Sequence, residues 1–453
     1  MAQRSYSIDM CTGPILPKLL RFTLPLVCSS MLQLLFNTAD IIVVGRFAGD
    51  NSLAAVGSTS SLINLLVNLF MGLSVGANIL AAKHFGAKEE KGLHETVHTA
   101  MLLSIISGLF ITVVGVFGAR AILELMQSPP DVLELAVVYL RIYFLGMTAT
   151  MLYNFGAALL RAVGDTQRPL YYLSFSGVVN VVLNLIFVIV FHMDVAGVAL
   201  ATVIAQCISA FLVVRCLMKE SGAIRLELRK LKIYSTPLRQ ILRVGLPSGL
   251  QGVLFSLSNV VIQSSVNSFG ETVVAGNSAA NSVENFVYIA MNGIHHATIS
   301  FTSQNYGAGQ YRRIWRIFFI SEACVLTVGL VLGNAALYFG TTLLKLYTTS
   351  PFVMNHALVR MRILCSLYFL CGMMDVAVGT LRGIGHAVLP MLVSLIGACG
   401  LRLLWIATIF QIPAFHSIGT IYWSYPITWG LTTFAHCICI FFAMKQVKKQ
   451  LNA

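Results

Sequence analysis

Long apolar runs, broken by short polar connections, recur about every 35 residues along the chain, and most continue for about 20 residues. A helix rises about 1.5 Å per residue, so a run of that length crosses the hydrocarbon core of a bilayer. Twelve spans are expected, centred near residues 32, 66, 106, 147, 180, 207, 252, 288, 326, 370, 399 and 432. Several soluble domains would also fit in a chain of this length, but not with apolar runs this long. The pattern predicts an all-α polytopic membrane protein.

Composition agrees. The 453 residues are 57% hydrophobic and 10% charged, against about 25% charged in a typical soluble domain. The opening "MAQRSYSIDMCTGPILPK" lacks the apolar core and small-residue cleavage site of a secretory signal, so the first span is expected to act as an uncleaved anchor. A net charge of +13 invites a nucleic-acid reading, but the positions of the basic residues argue against it. Arg4, Lys18, Lys83, Lys88, Lys91, Arg161, Arg168, Arg312, Arg382, Lys445 and the dense stretch from Arg215 to Arg243 fall on one side of the expected spans. Arg46, Arg120, Arg141, Lys345, Arg360 and Arg362 fall on the other, and Arg402 is left as the basic residue within a span. An excess of Lys and Arg on one side marks that side as cytoplasmic and puts both termini there. The basicity is topology, and no nucleic-acid partner is expected. The ten cysteines form no ligand pattern; Cys437 and Cys439 beside His436, and the pair His295-His296, read as packing residues rather than a metal site.

The chain repeats itself at an offset of about 221 residues. "LLRFTLP" (19–25) returns as "ILRVGLP" (241–247), "KHFGA" (83–87) as "QNYGA" (304–308), and "LLRAVGDTQRP" (159–169) as "TLRGIGHAVLP" (380–390). Six spans per half is an even number, so both halves start on the same side of the membrane, a parallel repeat of the kind built into transporters. The expected organisation is a six-helix lobe over 1–218, a basic cytoplasmic linker over 219–240 and a second six-helix lobe over 241–453. No nucleotide site, enzyme motif such as H-E-x-x-H, or oligomer signal accompanies it, so a monomer without enzymatic activity is expected.

"FNTADIIVVGRFAGDNSLAAVG" in the first half, with "LRAVGDTQRP" and "LRGIGHAVLP" after the fourth and tenth spans, resembles the multidrug and toxic compound extrusion (MATE) family along essentially the whole chain. The resemblance implies two six-helix bundles forming a V around a central cavity in a bacterial cytoplasmic membrane. It also implies export of small organic cations by antiport with H⁺ or Na⁺, with no cofactor beyond the coupling ion. A flippase for a lipid-linked oligosaccharide, from the same broader superfamily, is the alternative. Such a protein should carry several basic residues for an anionic pyrophosphate, and this sequence offers Arg402.

The acidic residues read as lying well inside spans are Asp40, Glu284 and Asp375. A charge at mid-bilayer costs about 2.5 to 3.5 kcal/mol on insertion scales, so it needs a partner or a wet face. No basic residue lies within a span of the first half, which makes Asp40 a functional candidate more than half of an ion pair. Asn37 stands one turn before it, and Asn180 and Asn184 are spaced to share one face of the fifth span. The resemblance adds Thr202 to Asp40, Asn180 and Asn184 as a cation or proton site. Asn184 departs from the family pattern, where an aspartate is common, so this half can neutralise one unit charge.

In the second half Asn277, Asn281, Glu284, Tyr288, Asn292 and His295 follow a helical stripe along the eighth span, and Ser256, Asn259, Gln263 and Asn267 another along the seventh. Both are expected to line the cavity, with Asp375 added from the tenth span. In the sodium-coupled branch of the family, cation ligands stand in the seventh, eighth and tenth spans. Glu284 and Asp375 match the last two, while Asn259 and Gln263 replace the seventh-span acid. Arg402 is expected to pair with Glu284 or Asp375, which leaves one uncompensated negative charge per lobe. Pro25 and Pro247 open the first and seventh spans. Pro25 lies fifteen residues before Asp40, about 22 Å along an ideal helix, and is the candidate hinge because proline removes a backbone hydrogen bond.

Overall fold

The computed structural model describes residues 6–126 and 129–451; Arg4 and the outermost residues of both expected lobes lie outside the described residues. The first half holds α1 (Ile15–Phe47), α2 (Asp50–Gly86), α3 (Glu90–Leu125), α4 (Pro130–Leu145), α5 (Met147–Ala162), α6 (Gln167–Leu185) and α7 (Asp194–Lys219). The second holds α8 (Ser235–Asn267), α9 (Glu271–Gly307), α10 (Tyr311–Tyr338), the short α11 (Gly340–Leu344), α12 (Pro351–Leu367), α13 (Phe369–Gly383), α14 (Val388–Ser394), α15 (Leu401–Ala407) and α16 (Ile418–Leu451). No strand occurs among the described residues.

Nine helical segments among the described residues are long and apolar enough to span a membrane, and the bent pairs α4–α5 and α12–α13, each turning by 45°, make eleven. The twelfth expected span is α9, whose 37 residues are long enough but too polar to pass on hydropathy. Large apolar side chains coat the outside of the helices; Phe117 is 80% exposed and Phe434 69%. In water such a surface would aggregate, whereas lipid is its natural solvent. The chain is a multi-span membrane protein.

The repeat is written into the backbone. α1 and α8 are each 33 residues long, and α2 and α9 each 37. Gly49 and Gly270, just before α2 and α9, have φ of 89° and 92°; Gly164 and Gly385, after α5 and α13, have 92° and 89°. These positions demand the left-handed region that glycine enters without a Cβ penalty. The third such pair is Lys88, φ 56°, and Gly309, φ 68°. A π-helical stretch follows α6 at Ile186–Val190 and another joins α14 to α15 at Leu395–Gly400.

Contacts divide the chain into two compact units: residues through Asp9 with Cys28–Gly249, and Met10–Val27 with Leu250–Ala453. Relative to the expected lobes, 10–27 and 241–249 exchange units, and glycines explain why. Within the first unit a Cβ on Gly72 of α2 would stand 2.2 Å from the Gly249 nitrogen, and one on Gly76 2.5 Å from the Ile241 carbonyl, so the opening turns of α8 lie directly against α2. Within the second, a Cβ on Gly293 of α9 would meet Val27 at 2.6 Å, and Phe22 packs edge-on against Phe301 with ring centroids 5.7 Å apart. Small residues allow this approach where no water is available to drive association. The linker is ordered against α3: the Glu227 amide donates to His98 Nε2 at 3.1 Å and the Tyr234 amide to Thr99 Oγ1 at 3.1 Å.

Candidate functional site

In the first unit α1, α6 and α7 bring Asp40, Asn184, Asn180 and Thr202 into one hydrogen-bonded chain. Asn184 donates from Nδ2 to the Asp40 carboxylate, and the same amide faces Asn180 Oδ1 at 3.4 Å. Asn180 Nδ2 donates to Thr202 Oγ1 at 3.3 Å, and that hydroxyl donates to the Val198 carbonyl at 3.0 Å. Every link except Asp40 is neutral. Asn184 is fully buried and its Oδ1 accepts no hydrogen bond from the described residues, an open acceptor beside the carboxylate that a proton or small cation on Asp40 would satisfy. Asn37 stays exposed, outside this set. Tyr139 and Tyr143 of α4 lie within electrostatic reach of Asp40, two neighbours that spacing along separate spans could not reveal. α1 runs without interruption through Pro25.

The second unit differs from expectation in its ion pairs. Glu284 of α9, 1% exposed, is held by Arg360 of α12: Nε donates to Oε1 at 3.0 Å and Nη2 to Oε2 at 2.7 Å. Arg360 Nη1 donates to Asn277 Oδ1 at 2.8 Å, Asn277 Nδ2 to Gln263 Oε1 at 3.0 Å, and Gln263 Nε2 to Asn267 Oδ1 at 2.9 Å. The Arg360 guanidinium also lies 5.5 Å and 5.7 Å from the ring centres of Tyr422 and Tyr425. Arg360, external on the sequence reading, stands more than two turns past the start of α12 at Pro351 and is buried against α9.

Arg402 therefore does not pair with Glu284 or Asp375. Its Nη2 donates to Thr428 Oγ1 at 3.1 Å, its guanidinium sits 3.9 Å from the centre of the Tyr425 ring, and its Nε has no partner among the described residues. Asp375 is instead hydrogen-bonded by Tyr288 and lies within electrostatic reach of Arg382. Its backbone carbonyl accepts from His295 Nδ1 at 2.5 Å. Arg382, counted as cytoplasmic from the sequence, is 8% exposed and donates to Gln251 Oε1 at 2.8 Å. Buried Glu322 of α10 is a further acid that the sequence reading passed over. Arg360 and Arg382 thus join Arg402 as buried guanidinium groups, beside buried Glu284 and Glu322 and half-buried Asp375, so the formal sum over these six is zero in place of the expected minus one.

The α9 stripe does not form one open face. Asn277, Glu284 and His295 are buried against α12 and α13, Tyr288 and Asn292 are half-buried, and Asn281 is exposed; on α8 Gln263 joins the network while Asn259 is exposed outside it. A polar stripe in lipid must meet protein or water, and here part of it meets protein. No group of three His, Cys, Asp or Glu side chains among the described residues could hold a metal ion.

A family model described as MatE matches residues 25–186 and 247–407, one copy in each half. The probable multidrug resistance protein YoeA of Bacillus subtilis (strain 168) is 28% identical over 388 residues, 84% of this chain and 84% of that protein. The multidrug export protein MepA of Staphylococcus aureus (strain NCTC 8325 / PS 47) is 19% identical over 432 residues, covering 95% and 94%. A solved MOP superfamily transporter from Pyrococcus furiosus superposes with a TM-score of 0.91 over 99% of both chains at 22% identity, so the fold is shared.

Proposed function

The chain belongs to the MatE family of multidrug efflux transporters, and from that premise we propose that it exports cationic amphiphilic compounds by antiport with H⁺ or Na⁺, with Asp40 as the carboxylate that exchanges its cation. One observation carries the reading: Asp40 stands within a span, without a basic partner, on neutral amides that leave Asn184 Oδ1 unsatisfied. An ion pair would have fixed its charge, whereas this set lets the charge change. Asn180 and Thr202 orient Asn184 through their hydrogen bonds. A sodium ion asks for about six oxygen ligands; Asp40, Asn180, Asn184 and Thr202 supply fewer, which favours the proton.

In the proposed cycle the outward-open state takes up the coupling cation at Asp40 and loses substrate, and the inward-open state does the reverse. Asp375, Tyr288 and the exposed amides Asn259 and Asn281 are the proposed contacts for a cationic substrate, and Pro25 is the proposed hinge of α1. We take the protein to work as a monomer in the bacterial cytoplasmic membrane with both termini inside, the orientation that the asymmetric placement of Lys and Arg supports. For the flippase alternative, Arg360 is taken up by Glu284, which leaves Arg382 and Arg402 as the guanidinium groups that a pyrophosphate could meet.

The test is efflux of a fluorescent organic cation from proteoliposomes under an imposed pH gradient, then under an imposed Na⁺ gradient, with wild type beside Asp40→Asn. Transport driven by one gradient and abolished in the variant is the expected result. A variant that exports as wild type under both gradients would remove Asp40 from the mechanism.

A further inference from the structure

We infer that Glu322, in the ninth span, is a proton-binding site of the second unit, separate from the sets around Glu284 and Asp375. Phe318 lies one turn before it on α10 and Val325 one turn after, on the same helix face. Both belong to a buried apolar cluster with Met291, Val376, Ala377 and Ile440. Glu322 is 8% exposed, and neither of its carboxyl oxygens has a hydrogen-bond partner among the described residues. The hydroxyl of Ser321 beside it is likewise buried and unpartnered.

An ionised carboxylate without a donor is strongly disfavoured in such surroundings, so the acid rests in its neutral form. Even that form forgoes hydrogen bonds that glutamate in water would make. A leucine at this position would be more stable, and an acid kept there at that cost is the usual sign of an ion pathway in a membrane protein.

The surroundings select the ligand. A metal ion would need several further oxygen donors, and the neighbouring cluster is hydrocarbon. The elements packed on α10 supply no opposing charge. From α16 the titratable neighbour is Cys437. On α9 and α12, Glu284 and Arg360 hold each other; on α13, Asp375 is engaged with Tyr288 and Arg382. α11 has no titratable side chain. Of the arginines on α10 itself, Arg312 and Arg316 are exposed, while Arg313 donates to the carbonyls of Met10, Thr12 and Gly13.

A proton is what remains. In the step one O–H bond of the acid breaks, the electron pair stays on the carboxylate and the proton leaves to water admitted by a change of conformation. The use of this proton in transport rests on the antiport reading; the existence of the site does not.

Infrared titration of the full-length protein in lipid, from about pH 5 to about pH 10, follows the carbonyl stretch of protonated carboxylic acids. Wild type should show a titrating band that Glu322→Gln lacks and Asp40→Asn retains. Glu322→Asp keeps the acid on a shorter arm and guards against instability of the Gln variant: its band should persist and titrate at a different pH. In proteoliposomes Glu322→Gln should lose one proton per turnover, which tests the use of the site apart from its existence. Identical titrating bands in wild type and Glu322→Gln would overturn the site. An unchanged proton count with the band lost would leave the site without a part in transport and overturn its coupling role.

Discussion

Replacing Arg360 by Met leaves Glu284 buried without its guanidinium. In the native protein two N–H groups reach the two carboxylate oxygens at 3.0 and 2.7 Å, and a third reaches Asn277 at 2.8 Å. Removing one member of a buried pair costs about 3 to 5 kcal/mol, because the remaining charge has lost its compensation. The reverse change, Glu284→Gln, should cost less, about 2 kcal/mol: Arg360 keeps Asn277 and the faces of Tyr422 and Tyr425, and an arginine over an aromatic ring in a desolvated site is worth up to about 2 kcal/mol. Combining Arg360→Met with Glu284→Gln removes both charges together, and the loss of a whole buried pair costs less than the loss of one member. The double variant should therefore be more stable than Arg360→Met alone. Thermal unfolding followed by tryptophan fluorescence, with SDS titration for the free energies, completes the double-mutant cycle. A coupling of about 2 kcal/mol or more is expected; single effects that add to within about 0.5 kcal/mol would refute the reasoning, since additivity is the behaviour of residues that do not interact.

Asn184→Leu removes the donor to Asp40 at similar volume; one hydrogen bond to a charged group is worth about 1.5 to 3 kcal/mol, so the concentration of coupling cation giving half-maximal transport should shift about tenfold or more, and an unchanged value would detach Asn184 from the site. Gly333→Ala should lower the unfolding temperature, because its Cβ would stand 2.1 Å from the Cys365 carbonyl and overpacking costs about 1 to 3 kcal/mol; Gly430→Ala, with nothing within 4 Å, is the control and should be neutral or stabilising. In the linker, the Lys230 ammonium donates to Glu227 at 3.1 Å and holds that carboxyl below the usual carboxylate range. Any stability from the pair is present above that range and fades as pH falls through the lowered value, so Glu227→Gln should leave the unfolding temperature unchanged under acid conditions and shift it little at neutral pH, the pair being exposed to solvent.

Helical spacing is local, and what depended on it was legible. Asn180 and Asn184 are four residues apart on one helix and do face the same partner set, and the 221-residue repeat returns as matched left-handed backbone positions. Depth and orientation were harder. Arg360 reads as external because it lies ten residues before the expected centre of its span, and nothing local to α12 shows that it turns toward Glu284 of α9. Arg382, read as belonging to a cytoplasmic segment, stands in the last turn of α13 and is buried there, which loop counting could not show. Glu322 had a visible signal, an acid in "FFISEACVL" four residues from the expected centre of its span, but nothing in the sequence tells whether such a side chain turns toward a neighbour. Tyr139 and Tyr143 near Asp40 depend on how α4 packs, which no periodicity encodes.

The two units meet the cost of a buried carboxylate in opposite ways, and the difference bears on where a cation can exchange. Protonating Glu284 would strand Arg360, so cation uptake there exchanges one uncompensated charge for another. Asp375 carries the same penalty through Arg382 to the extent that the two interact. At Asp40 and Glu322 no guanidinium among the described residues is paired with the acid, so protonation leaves no opposite charge stranded. On the antiport reading the exchangeable cations therefore belong at the acids without basic partners. Glu284→Met combined with Arg360→Met, once shown to fold, should still export an organic cation down the imposed gradient, whereas Asp40→Asn combined with Glu322→Gln should not. Loss of gradient-driven export in the first double variant, with its unfolding temperature intact, would move the coupling step to Glu284 and refute the argument from charge compensation.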